Sequence, residues 1–80
     1  DGMPGVQLEK SADSLIDALV AANLAKSKSE ARTFIQSGSV AVNGQKVVVL
    51  EHRITLDERL YGRFTILRRG KKNYGLISWQ

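Results

Sequence analysis

KSKSEARTFIQSGSVAVNGQK, residues 26–46, spells out a short basic helix, a glycine stop and a tight β-hairpin. Ser27 and Glu30 stand at capping-box spacing, in which the hydroxyl accepts from a free backbone N–H and the carboxylate reaches back to another. Ala31, Phe34 and Ile35 recur at helical spacing and predict an apolar stripe. Lys28, Arg32 and Gln36 are four apart and line up along one exposed side. Gly38 falls where a left-handed C-terminal cap is wanted. Val40 and Val42 alternate ahead of Asn43-Gly44, a pair suited to the positive φ of a two-residue hairpin turn. That turn sets Val42 against Gln45 and Val40 against Val47, and puts Lys46 on the opposite face beside Ala41. Lys26, Lys28, Arg32 and Lys46 are thereby carried away from a shared core.

Working outward, residues 1–5 hold two glycines and the only proline and read as the end of a linker, leaving residues 6–80 as one domain. Val6-Gln7-Leu8 suits a short edge strand. Residues 11–23 predict a helix that buries Leu15, Ile16, Leu19 and Val20, capped by Ser11 or Ser14, with Asp13 and Asp17 favouring its dipole. Leu24-Ala25-Lys26 is too short for a parallel return, so the two helices form an angled or antiparallel pair. Residues 47–50 extend the second hairpin strand, and residues 51–60 form a polar connection with a short strand near 53–55. Phe64 and Ile66 face one way on the next strand. Residues 69–72 form a turn made almost wholly of cations, and residues 73–79 return with Tyr74 and Leu76 on one face and Ile77 and Trp79 on the other. The expected fold is α+β, a small domain with a helix pair packed on a short-stranded, mostly antiparallel sheet.

Eighty residues make one domain with a modest core. A first residue other than Met suggests a piece of something longer. No cysteine is present, and the single histidine, His52, has no partner ligand in the sequence, so it reads as a solvated surface residue and no metal is expected. No apolar run approaches membrane-spanning length, and no signal-peptide pattern is present. Charge is unevenly spread. Residues 1–25 are net −3, residues 26–46 net +3, residues 47–60 net −1 and residues 61–80 net +5. Two basic blocks are the footprint of a polyanion binder, against the plainer reading of a basic domain that is merely well solvated.

Lys26-Ser27-Lys28-Ser29 looks like the loop with which class I aminoacyl-tRNA synthetases hold ATP phosphates. That loop works only beside a nucleotide-binding α/β domain, and no glycine-rich turn after a strand is present here. No catalytic residue and no cofactor is therefore expected. A helix start rich in serine and lysine suits an RNA phosphate instead. Arg68-Arg69-Gly70-Lys71-Lys72 gathers four cations in five residues, which suits a phosphate clamp or, more plainly, a solvated turn that guards a sheet edge. Phe34, Tyr61, Phe64, Tyr74 and Trp79 are read as core by default, with Tyr74, near the basic turn, the one candidate for a nucleotide contact.

Ser37, Gly38, Val40, Val42, Asn43, Gly44 and Lys46 follow a pattern that resembles the small RNA-binding domain named after protein four of the small ribosomal subunit. The stretch from Leu60-Tyr61-Gly62-Arg63-Phe64 through Leu67-Arg68-Arg69-Gly70-Lys71-Lys72-Asn73-Tyr74, closing on Leu76-Ile77 and Trp79, is more specific: it looks like the C-terminal domain of bacterial tyrosyl-tRNA synthetases. The resemblance covers the chain from Leu15 onward and is weakest over residues 47–60. It implies a cytoplasmic, non-catalytic tRNA-binding module, joined by a flexible linker to the catalytic and helical domains of the parent enzyme. The implied partners are that parent and tyrosine tRNA, on the side of its variable arm and anticodon stem; the isolated domain is expected to be monomeric, without metal or membrane. The candidate RNA-binding residues are Lys26, Ser27, Lys28, Arg32, Gln36, Lys46, Arg68, Arg69, Lys71, Lys72 and Asn73. That the two basic blocks form one surface is an expectation from function, not from pattern. The alternatives are a general structured-RNA-binding module of the same fold, from a ribosomal protein or RNA-modifying enzyme, and a protein-docking or DNA-binding helix-turn-helix domain.

Overall fold

A computed structural model describes residues 5–9 and 11–80. The elements are β1 (Gly5–Leu8), α1 (Leu15–Ala21), α2 (Lys28–Gln36), β2 (Val40–Val42), β3 (Gln45–Lys46), β4 (Phe64–Arg69) and β5 (Asn73–Trp79). The strands form one sheet in the order β1-β5-β4-β2-β3. Every pairing is antiparallel except β1 with β5, where Val6 lies beside Ile77 and Leu8 beside Trp79. The fold is α+β, as the alternation of helical and strand periods requires.

The sheet's two faces differ because side chains alternate along each strand. Val40, Val42, Leu67, Ile77 and Trp79 turn to one face and join Leu15, Ala18, Leu19, Ala31 and Ile35 of the helices in a single core. Thr65 is fully buried there, and its hydroxyl is satisfied twice: it donates to the Glu58 carbonyl (2.8 Å) and accepts from Trp79 Nε1–H (2.8 Å). The Arg59 guanidinium lies 4.0 Å from the centre of the Trp79 ring and donates to the Ile54 carbonyl (3.2 Å). Stacking on an apolar ring is how this nearly buried cation is accommodated.

The hairpin register is as the Asn-Gly turn predicts: Val42 pairs with Gln45 and Ala41 with Lys46, and the Val47 N–H donates to the Val40 carbonyl (3.0 Å). The turn residues have φ of +50° and +86°. α2 is closed beyond its C-cap Ser37 by Gly38, φ +77°, in a Schellman pair of bonds: Gly38 N–H to the Ile35 carbonyl and Ser39 N–H to the Phe34 carbonyl.

Four expectations need correction. α1 begins at Leu15, not at residue 11, with Ser14 as its N-cap. The backbone just before it is engaged elsewhere: Leu15 N–H donates to the His52 carbonyl, Ile54 N–H donates to the Asp13 carbonyl, and the Asp13 carboxylate pairs with Arg53 at 2.6 Å. The second hairpin strand stops at Lys46, leaving Val48 and Val49 exposed. Residues 53–55 make only an isolated bridge from Arg53 to Ser14, followed by a 3-10 turn at Leu56–Glu58. His52 is not solvated: it is half-buried, with Nε2 2.9 Å from the Glu58 carboxylate, which also accepts from the Thr55 N–H. Of the linker expected at residues 1–5, Gly5 stands in β1 and the rest lies outside the described residues.

Candidate nucleic-acid interface

The start of α2 is built by its cap. Ser27 Oγ accepts from the Glu30 N–H (3.1 Å), and Glu30 Oε1 accepts from the Lys26 N–H (2.8 Å), one residue further back than the usual capping box. Ser27 spends only its lone pairs on the cap, so its hydroxyl proton is free to point outward. Lys28 Nζ lies 3.4 Å from Asp17 Oδ1 on α1, and both side chains are more than half exposed. An ion pair in that setting is worth little and leaves the lysine available to an anion. Arg32 and Gln36 continue the exposed side of the helix.

The far end of α2 has no basic residue in its last turn, where the helix dipole favours a cation. Two cations come to it from other elements. The Lys46 side chain crosses Gly38 closely enough that a Cβ there would stand 3.6 Å from Nζ. The Arg69 guanidinium lies 4.9 Å from the centre of the Phe34 ring. Gly70 N–H donates to the Ser39 carbonyl (2.7 Å), which ties the cationic turn to the loop that follows α2. Lys71, Lys72 and Asn73 are exposed beyond it.

The structure thus brings Lys46, Arg69 and the turn at residues 70–72 to the C-terminal end of α2. Lys26, Ser27 and Lys28 stand at the other end of that helix, about 13 Å away along its axis, with Arg32 and Gln36 between. Arg68 does not join this group: it pairs with Ala41 and Tyr74 on the face turned away from the helices, whereas Lys46, which leaves the edge strand β3 on that same face, turns its side chain back to Gly38. Arg63, outside the cations named above, is exposed, and its guanidinium lies 5.5 Å from the centre of the Phe64 ring. Its place in the C-terminal basic block was the only sequence signal for it. Tyr61, read as core by default, is 92% exposed with φ +57°. Among the described residues no helix is long and apolar enough to cross a membrane.

Residues 1–77 match the family model described as the tyrosine–tRNA ligase SYY-like C-terminal domain. Over all 80 residues the chain is 81% identical to the tyrosine–tRNA ligase of Dechloromonas aromatica and 64% identical to that of Chromobacterium violaceum. It spans 19% of the length of each of these relatives. A solution structure of a tyrosyl-tRNA synthetase C-terminal domain is similar with a TM-score of 0.79 and 40% identity, covering 98% of this chain and 79% of that one. The described helix pair on its mostly antiparallel sheet and a match to nearly the full length agree: this chain belongs to the family of tyrosine–tRNA ligase C-terminal domains, an accessory domain rather than the catalytic one.

Proposed function

We propose that this chain is the tRNA-binding appendage of a cytoplasmic tyrosyl-tRNA synthetase, holding tyrosine tRNA on the side of its variable arm and anticodon stem. Lys26, Ser27, Lys28, Arg32, Gln36, Lys46, Arg69, Lys71, Lys72 and Asn73 make the contacts, chiefly to phosphates, while the parent enzyme supplies the chemistry. The observation that carries the reading is the meeting of the two basic blocks at the end of α2, through Arg69 on Phe34 and Gly70 on Ser39, in a chain of this family. Lysine and arginine position an RNA by its backbone and carry little base information, so recognition is of shape.

A salt titration tests this. With about four to six phosphates neutralised, log affinity against log salt should have a slope of roughly −3 to −5. Replacing Lys71 and Lys72 by alanine should weaken binding and make the slope shallower by about one to two units. Tyrosine tRNA lacking its variable arm should bind much less well. An unchanged slope in the double variant removes Lys71 and Lys72 from the site, and equal affinity for intact and arm-deleted tRNA leaves a general structured-RNA binder.

A further inference from the structure

The sheet face turned away from the helices carries its own set of groups. Lys46, Ala41, Arg68 and Tyr74 lie side by side in one row across β3, β2, β4 and β5, because each is the register partner of the next. Ile66 and Leu76 form the next full row, and Phe64 and Ser78 the one after it. Among the described residues no helix lies over this face, since α1 and α2 pack on the other one. The strand residues facing this side include no carboxylate.

Exposure on this face is selective. Ile66, Leu76 and Phe64 are half-buried, and Ala41 is 1% exposed. Tyr74 is the one large apolar strand residue on this face that is substantially exposed, at 41%. The Arg68 Nε atom beside it is buried and has no hydrogen-bond acceptor among the described residues. A partner protein would call for a broad exposed apolar patch. A single exposed ring with Arg68 as its register partner fits a flat apolar group that carries an anion.

We propose that this face is a nucleotide platform: Tyr74 stacks on one unpaired base of the bound RNA, and Arg68 takes the adjoining phosphate. The inference rests on the tRNA-binding reading above and extends it to a second face of the domain. It gives a role to Arg68, which points away from the helix side.

The test is binding of tyrosine tRNA, and of a blunt RNA duplex without unpaired bases, to the 80-residue chain over a range of salt. Tyr74→Val keeps a good strand former and removes the ring. It should weaken tRNA binding by roughly 5- to 150-fold, the usual worth of one stacked base, with the salt slope unchanged because no charge is lost. Duplex binding should stay the same, and Tyr74→Phe should restore tRNA affinity. Tyr74→Trp supplies a readout that does not depend on the valine variant folding: its exposed fluorescence should be quenched by saturating tRNA. Full affinity in Tyr74→Val, or no quenching in Tyr74→Trp, while the Lys71 and Lys72 substitutions still weaken binding, overturns the platform and leaves tRNA binding intact. Failure of the unaltered chain to bind tRNA overturns both.

Discussion

Asn43 was chosen by the turn, yet its side chain holds together segments far apart in the chain. Its Oδ1 accepts from the Ile66 N–H (2.8 Å), its Nδ2 donates to the Glu58 carbonyl (2.6 Å), and its own N–H donates to the Ile66 carbonyl (2.7 Å). Asn43→Gly keeps the φ of +50° at no steric cost and removes both side-chain bonds. Each bond is worth about 1 kcal/mol net, and more where the abandoned partner stays covered, so the loss should be about 2–3 kcal/mol. Asn43→Ala loses the same bonds and also forces a Cβ into the left-handed region, adding about 1 kcal/mol. For 80 residues the whole stability is roughly 4–12 kcal/mol, so either change is a large share of it. Urea unfolding followed by Trp79, the only tryptophan and 6% exposed, reads both variants. A glycine variant within about 0.5 kcal/mol of the unaltered chain, or an alanine variant no worse than the glycine one, would refute this account of Asn43.

Other substitutions test the packing and the caps. Gly75→Ala places a Cβ 3.0 Å from Ala22 Cβ and 3.3 Å from Leu24 Cδ1 under α1, and should cost about 1–3 kcal/mol in a thermal melt. Ser27→Ala strips the N-cap of α2 and should cost about 1 kcal/mol, with hydrogen exchange quickening first at Glu30. Trp79→Phe leaves the buried Thr65 hydroxyl without its donor and weakens the stacking of Arg59; a loss of about 1–3 kcal/mol is expected by calorimetry. Asp17→Asn breaks an exposed ion pair and removes an acid from the first turn of α1, and should cost no more than about 1 kcal/mol in a thermal melt.

Local rules were enough wherever a residue's conformation is decided by its near neighbours. The capping serine and glutamate, the left-handed stop at Gly38, the Asn43-Gly44 turn and the alternation of Tyr74 against Ile77 are all short-range effects, and each is legible in a few residues. The candidate cations on α2 and on the β4–β5 turn were legible for the same reason, through helical spacing and charge clustering. What failed to show was anything settled by a distant partner. Residues 47–60 carry no regular period because they are held by the Ser14 bridge, the His52–Glu58 pair and the stacking of Arg59 on Trp79. The start of α1 moved to Leu15 because residues 52–54 hold the backbone just ahead of it. Which face Arg68 and Arg69 each take, and that Arg69 meets Phe34 across 35 positions of chain, follows from the register of β4 between β2 and β5. By itself the sequence determined α2 with its cap and stop, the Asn43-Gly44 turn, the strands around the cationic turn and the sign of the charge blocks, since those depend on periods of two and 3.6 residues and on composition. Only the tertiary structure decided which cations share a face, because long-range strand pairing sets the register and a shift of one residue would exchange the two faces.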